Sequence, residues 1–376
     1  MAQKRRKKAE DTGEQEVVQA PDDEEPPPES ERAFGVVGIG ASAGGLESAA
    51  RLLATIPPRS GLAFVLVQHL DPNHESLLVE LLSRATSMPV VAAAHNVPLE
   101  PDHVYIMPPN ALMLVVGGKL TLEPRPSRGV SMPIDLFFRS LALDRRSRAI
   151  GIILSGTGTD GSLGIKAVKA EGGITFAESE ASAKHHAMPR SAIGMGCIDF
   201  VLPAEGIGKE LGVLGPRLQV AYSQAELEEG LGGSRDLRKI LGMLRSAKGV
   251  DFSLYRSTTI RRRIIRRMLL HKLHTVADYL RLLREQPGEI DALYQDVLIR
   301  VTGFFRDPAV HEALKESVFP ALLRDRGHEQ PIRVWVPGCS TGEEAYSIAM
   351  GLVECMGESR QNLPVQIFAT DVSEES

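Results

Sequence analysis

The fold is decided by the stretch Val36-Val37-Gly38-Ile39-Gly40-Ala41-Ser42-Ala43-Gly44-Gly45-Leu46-Glu47. An apolar run breaks into glycines around one serine and then continues with helical spacing, which predicts a strand, a tight turn and a helix. The turn has the pattern G-x-S-x-G, in which the glycines allow a strained bend that exposes a serine hydroxyl at the end of a sheet. Ser42 is therefore a candidate nucleophile.

The same glycines allow a second interpretation. Gly38, Gly40 and Ala43 fit the degenerate fingerprint of a dinucleotide-binding loop, which places phosphate at a helix N-terminus. Such a site needs an acidic residue about 20 positions later, at the end of the second strand. The next apolar run, 62–67, leads instead into a glutamine and His69. This weakens a nucleotide-binding oxidoreductase as an alternative.

A third apolar run, 149–154, leads into a glycine-rich turn that contains Asp160. Ser42, His69 and Asp160 thus each follow the carboxyl end of a predicted buried strand, where open parallel sheets place their ligands. Taken singly, His69 could be a structural hydrogen-bonding residue, and Asp160 could cap the helix that begins near Ser162. Their joint occurrence favours a triad of nucleophile, base and orienting acid.

Four motifs resemble the catalytic domain of the chemotaxis receptor methylesterases (CheB type): residues 40–45, 67–69, 133–137 and 156–161. The resemblance runs from about Phe34 to about Tyr222. It implies a doubly wound parallel-sheet α/β domain in which Ser42, His69 and Asp160 form the triad.

The backbone N–H of Thr157 would contact the oxyanion by the same resemblance. Two positions depart from the family pattern, because the family usually has threonine at the position of Ala43 and methionine at that of Thr157. The implied reaction needs no cofactor. It is hydrolysis of glutamate γ-methyl esters, often with glutamine deamidation, on chemoreceptor-like helical proteins, and signalling kinases or response regulators are the implied further partners.

The second half contains a strand that enters a glycine-rich turn, 333–342, followed by an apolar helix. Together with the stretches 301–307 and 368–372, it resembles the chemotaxis receptor methyltransferases (CheR type) from about Asp236 to the end. The resemblance implies a small all-α domain, 236–325, and the start of a Rossmann-like sheet, 326–376. It also implies that S-adenosylmethionine is held by Thr302, Arg306, Gly338, Glu343 and Asp371. A doubly wound sheet needs several more strands than precede Ser376, so we expect this methyltransferase half to be truncated and incomplete.

Composition agrees with a multidomain globular protein: 376 residues, 43% hydrophobic and 24% charged. Three cysteines without metal-ligand spacing favour a reducing compartment, so we expect a cytoplasmic protein with no metal site. No apolar stretch approaches the roughly 20 residues of a membrane span, and membrane contact is expected only through a partner. Nothing before the esterase motifs has the pattern of a receiver domain.

Two segments are expected to lie outside the folded domains. Residues 1–33 swing from basic to acidic and end in three prolines, a composition that predicts a disordered tail. Residues 223–235 are rich in glutamate and glycine and are interpreted as a linker.

Five arginines within 261–267 alternate with apolar residues at helical spacing. This pattern is typical of a solvated helix face, and the resemblance adds an acidic receptor surface as a partner. Nucleic acid is disfavoured by the net charge of -5 and by the lack of interleaved aromatic residues. The leading hypothesis is therefore an esterase fused to a partial methyltransferase, and the alternative is a non-catalytic signalling scaffold.

Overall fold

The computed structural model describes residues 34–69, 77–125, 131–227, 233–298, 302–324, 331–359 and 363–372. The predicted tail, 1–33, and residues 228–232 of the predicted linker lie outside these ranges. The strands are β1 Gly35–Ala41, β2 Leu62–Gln68, β3 Val90–Ala92, β4 Val97–Pro98, β5 Val104–Ile106, β6 Ala111–Val116, β7 Lys119–Pro124, β8 Ala149–Ile153, β9 Ile174–Glu178, β10 Phe200–Leu202, β11 Ile332–Pro337 and β12 Val365–Thr370.

The helices of the first half are α1 Gly45–Leu53, α2 Leu78–Ser83, α3 Pro133–Arg145, α4 Ser162–Ala170, α5 Ala187–Gly194 and α6 Ala204–Leu227. Those that follow are α7 Gly233–Lys248, α8 Ser257–Leu270, α9 Val276–Glu285, α10 Pro287–Val297, α11 Pro308–Ala313, α12 Phe319–Leu323 and α13 Glu343–Ser359. A 3₁₀ turn covers Arg146–Arg148, and a π-helical turn, Leu314–Val318, joins α11 to α12.

The first half is built on a seven-stranded parallel sheet in the order β10-β9-β8-β1-β2-β5-β3. One core packs α1 and α6 against one face of the sheet, and a second core packs α3 and α4 against the other. Because both faces are covered, the central strands are almost continuously apolar. The predicted doubly wound α/β fold is confirmed, and a small antiparallel sheet, β4-β7-β6, adds to it.

The glycines of β1 serve packing rather than phosphate binding. A Cβ on Gly38 would lie 2.8 Å from the rings of Phe137 and Phe138, and one on Gly40 would lie 2.4 Å from Ile134 Cγ2. These positions must lack side chains because α3 crosses the strand so closely. The glycine spacing that resembled a dinucleotide fingerprint is thus explained by helix–strand contact.

Helices α7 to α10 form an all-α unit with its own core. Strands β11 and β12 pair in parallel, with α13 between them in sequence. This order matches the predicted all-α domain followed by the start of a second parallel sheet. Helix α6 continues to Leu227, so regular structure extends into the segment that was interpreted as a linker.

The arginine-rich helix α8 is not a solvated face. Arg266 is fully buried and Arg263 is 5% exposed. Arg266 donates to Gly173 O at 2.9 Å and also pairs with Asp199 and Asp296. Arg263 donates to Lys169 O at 2.9 Å, at the end of α4. The expectation of a solvated face is wrong for these two side chains, because they join the all-α unit to the esterase-like domain.

Candidate active site

Ser42 lies in the tight turn that joins β1 to α1. Its N–H donates to Ser155 O at 3.0 Å, and its carbonyl accepts from Gly45 N–H at 2.9 Å. Gly44 has a φ of 72°, in the left-handed region that glycine adopts without strain. A Cβ on Gly156 would lie 2.9 Å from Ser42 Cβ, so a second loop packs directly against the serine. The turn has the features of a nucleophile elbow.

His69 and Asp160 meet at the neighbouring strand ends. His69 Nε2 lies 2.7 Å from Asp160 Oδ2, and the side chains are 36% and 4% exposed. The Asp160 carboxylate also accepts from Ile134 N–H at 3.0 Å and from Asp135 N–H at 2.9 Å. Both donors belong to the first turn of α3, where free N–H groups and the helix dipole stabilise a negative charge.

This arrangement separates the two interpretations of Asp160. Helix α4 is capped by the left-handed Gly161, without a side-chain cap hydrogen bond. The Asp160 carboxylate instead accepts hydrogen bonds from the N-terminus of α3 and contacts His69. Its carboxylate is therefore bound to the imidazole and to α3 and does not cap α4, the helix that follows it.

The position of Asp160 assigns the two nitrogens of the imidazole. Since Nε2 faces the carboxylate, it carries the proton, and Nδ1 is left as the nitrogen that can act as a base. Strands β2, β1 and β8 are neighbours in the sheet, so Ser42 is at the adjacent strand end. Within the described residues, Ser42 and His69 form no hydrogen bond. Unliganded sites often have such loose geometry.

Thr157 is exposed in the loop after β8. Neither its N–H nor that of Ala43 donates to an acceptor in the described part of the chain. Ala43 lies in the Ser42 turn, and Thr157 directly follows Gly156, which packs against Ser42. Oxyanion stabilisation uses free backbone donors of this kind. The threonine at 157 keeps this backbone donor, although the family usually has methionine there.

Two supporting residues escaped the sequence analysis. Ser155 Oγ donates to Ala43 O at 2.9 Å and accepts from His185 N–H at 3.0 Å, which ties the elbow to the next loop. The fully buried Glu178 accepts from Ser155 N–H at 2.9 Å and from Arg51 Nη2 at 2.8 Å. The available signal was that Glu178 is the last residue of the buried strand β9.

Asp135 is a further buried carboxyl beside Asp160. Its Oδ1 accepts from Gly164 N–H at 2.6 Å. Burial raises the pKa of Asp135, and the Asp160 charge raises it further, although the Gly164 hydrogen bond opposes them. Asp135 links α3 to α4, and thereby supports the helix that holds Asp160.

The second half contains a separate cavity of about 190 Å³. Three of the five predicted cofactor residues line it: Thr302, Arg306 and Gly338. The other lining residues are Gly303, Asp307, His311, Ser340 and Glu344.

The remaining two predicted residues lie beside this cavity and do not line it. Asp371 Oδ2 accepts from Ser340 N–H at 2.8 Å, and Glu343 Oε2 lies 2.5 Å from Thr341 Oγ1. Both carboxylates therefore hold the glycine-rich turn. The structure thus brings Thr302, Arg306 and Gly338 to one cavity. Glu343 and Asp371 hold the turn beside it.

The cavity suits a polar ligand on two grounds. Ser340 Oγ is buried and has no hydrogen-bond partner among the described residues. A Cβ built on Gly338 would meet nothing within 4 Å, so the glycine faces open space. An unsatisfied hydroxyl beside an open glycine turn fits a cofactor that approaches the backbone closely.

Two kinds of feature are absent from the part of the chain that the structure describes. It has no group of three or more His, Cys, Asp or Glu side chains placed to bind a metal ion. It also has no helix with the length and apolar character needed to cross a membrane.

Comparison with known proteins gives three family matches. Residues 37–211 match the family described as CheB methylesterase. Residues 235–298 match the all-alpha domain of CheR methyltransferase, and residues 300–376 match its SAM binding domain.

The chain is also similar to individual proteins. A 104.1 kDa protein in the hypE 3′ region of Rhodobacter capsulatus is 37% identical over 318 residues, which are 78% of this chain and 33% of that protein. A protein-glutamate methylesterase/protein-glutamine glutaminase of Syntrophus aciditrophicus is 34% identical, over 48% of this chain and 52% of that protein. The Thermotoga maritima CheB methylesterase catalytic domain is 30% identical, with a TM-score of 0.45, over 48% of this chain and 98% of that structure. The chain thus spans a third of the first relative and about half of the second.

Proposed function

This chain joins a CheB methylesterase domain to the all-α and SAM-binding domains of a CheR methyltransferase, and we propose that it acts as a protein-glutamate methylesterase. Its substrate is a glutamate γ-methyl ester on a chemoreceptor-like helical protein, and the same site deamidates glutamine. The observation that carries this proposal is the His69–Asp160 contact, fixed by the α3 N-terminus at the strand end next to the Ser42 elbow.

In the proposed mechanism, Ser42 Oγ attacks the ester carbonyl while His69 Nδ1 accepts the hydroxyl proton. The N–H groups of Thr157 and Ala43 donate to the oxyanion. The protonated His69 then gives its proton to the departing methanol. In the second step, a water molecule gives a proton to His69 and attacks the acyl-enzyme carbonyl. The bond to Ser42 Oγ then breaks, His69 returns the proton to that oxygen, and the glutamate carboxylate is released. Asp160 keeps the imidazole oriented throughout.

The test uses a peptide helix that carries a glutamate γ-methyl ester, with released methanol as the readout. Ser42→Ala should abolish release, because loss of a triad nucleophile costs about 10⁶-fold in rate. Ser83→Ala is a matched control, since the Ser83 hydroxyl donates only to Val79 O within its own exposed helix turn. Retention of more than a small fraction of the wild-type rate by Ser42→Ala would contradict the proposal.

For the second half, we propose that the cavity near Gly338 binds S-adenosylmethionine. This cofactor, when bound, supplies a methyl group. Thr302, Arg306 and Gly338 would hold it directly, and the Glu343 and Asp371 carboxylates, each with one oxygen bound to the glycine-rich turn, would reach it with the other. The free state of all three cysteines agrees with a reducing compartment such as the cytoplasm.

A further inference from the structure

A small cavity lies on the flank of His69. It is lined by residues at the end of β2, in the turn after β5 and in the segment that enters α3, and its volume is about 10 Å³. Its apolar walls include Met107, Pro108, Pro109 and Pro133, and two of its polar members are Gln68 and Ser131. Three prolines make this wall stiff, because proline fixes its backbone φ.

Two buried polar atoms belong to residues that line the cavity. Gln68 Oε1 and Ser131 Oγ are both buried, and neither has a hydrogen-bond partner among the described residues. Buried polar atoms in folded proteins are nearly always bonded to protein or to ordered water. A pair of such atoms around one cavity therefore indicates a bound polar species.

The volume decides what that species is. A cavity needs roughly 10–15 Å³ to hold one water molecule, so this one has space for a single water. A substrate side chain would be several times too large, and a metal ion would need more charged or imidazole ligands than this cavity offers. Water can donate one hydrogen to the Gln68 carbonyl oxygen and the other to the Ser131 hydroxyl oxygen.

We propose that a single ordered water bridges Gln68 Oε1 and Ser131 Oγ, and that these two side chains are positioning residues for the His69–Asp160 pair. Gln68 directly precedes His69 in the chain. Ser131 lies two residues before Pro133, the first residue of α3, and the next two N–H groups of α3 hold Asp160. The water thus ties the strand that carries the base to the helix that holds the acid.

The kinetic readout of this inference rests on the proposed esterase activity. Loss of the bridge should misalign the imidazole without touching the substrate-binding surface. We expect Ser131→Ala and Gln68→Leu to lower kcat about 10-fold to 100-fold, the effect of a displacement near 1 Å, with KM unchanged. Ser131→Thr keeps the hydroxyl and should restore most of the rate. Ser83→Ala again serves as the control and should match the wild type.

Two direct measurements complete the test. A high-resolution crystal structure of the full chain should show a water within hydrogen-bonding distance of both atoms. Proton NMR should show the His69 Nε2–H signal in the wild type and Ser131→Thr, and a weakened signal in Ser131→Ala. Direct contact between Gln68 and Ser131 in the crystal, or unchanged kcat and signal in Ser131→Ala, would overturn the inference. If the wild type released no methanol, the proposed function would fail, while the crystal and NMR results would still decide this inference.

Discussion

The two nitrogens of His69 have different surroundings, and this difference fixes their roles. Nε2 is committed to Asp160, which is itself bound by two N–H groups of α3. The carboxylate therefore cannot rotate away without losing three hydrogen bonds. The acid is rigid, whereas the 36% exposed imidazole has room to adjust when substrate arrives.

Asp160→Asn should preserve the fold and lower kcat by about 10⁴-fold. With its NH₂ group at the position of Oδ2, the amide keeps the hydrogen bond from Asp135 N–H and loses the one from Ile134 N–H. The NH₂ group would face Nε2 and favour the tautomer with the proton on Nδ1. That tautomer cannot accept the Ser42 proton. Steady-state methanol release measures kcat, and circular dichroism checks the fold. A folded variant within tenfold of the wild-type rate would refute the assigned role.

The sequence predicted the residues at strand ends better than the residues that support them. Ser42, His69 and Asp160 follow apolar runs whose burial can be read from the chain itself. The partners of Glu178 could not be read in this way, because Arg51 is 127 residues away and Ser155 is 23 residues away. Hydrogen bonds between distant elements leave no local pattern in a sequence.

At the scale of one element, helix α8 shows what periodicity does and does not establish. Its apolar spacing correctly predicted a helix, and Ile265 and Leu269 pack into the core of the esterase-like domain. The burial of Arg266 could not be predicted, because its partners Gly173 and Asp199 lie 93 and 67 residues away. A helix face rich in arginine is predicted to be solvent-exposed unless the acidic residues that pair with it are known.

Arg266→Met should destabilise the protein by about 3–5 kcal/mol, because Asp199 and Asp296 would be left buried without their shared counter-charge. Urea unfolding followed by circular dichroism measures the shift of the transition. Arg281→Met is the matched control, since Arg281 pairs with Asp278 on the surface and its side chain is 66% exposed. Equal shifts for the two variants would show that burial of the ion pair contributes nothing.

The ion pair between Arg266 and Asp199 makes the stability of the whole protein depend on pH. Burial alone would raise the pKa of Asp199, but the charges of Arg266 and Lys169 outweigh burial and hold the pKa below its usual range. A carboxyl with a lowered folded pKa stabilises the protein above its unfolded pKa, and this contribution is lost as the pH falls through the folded value.

We therefore expect the stability of the wild type to fall more steeply than that of Asp199→Asn as the pH is lowered from 5 to 3. Thermal unfolding at a series of pH values measures both. Asp199→Asn should be the less stable protein at pH 7, because Arg266 then lacks one partner. Parallel pH profiles for the two proteins would exclude Asp199 as a source of the acid sensitivity.

At the scale of the molecule, the order of the domains was predictable and their packing was not. Family-like motifs indicated an esterase-like half and a methyltransferase-like half, and the structure and the comparisons agree. How the all-α unit docks depends on side chains that meet only after both parts have folded. The boundary between the halves was also placed inside α6, because a long helix and a glutamate-rich linker have similar local compositions.

The contacts with the all-α unit and the candidate catalytic residues lie at opposite ends of the parallel sheet. Asp160 precedes α4 and lies at the carboxyl ends of the strands, whereas Arg263 and Arg266 bind the far end of α4 and the residues that enter β9 and β10. Strands β8 and β9 have five residues each, about 17 Å at 3.3 Å per residue. The contacts of Arg263 and Arg266 therefore lie at the end of the sheet opposite to Ser42, His69 and Asp160. We therefore expect substitutions of Arg263 or Arg266 to change the stability of the protein, and to act on Ser42, His69 and Asp160 only through the strands or through α4.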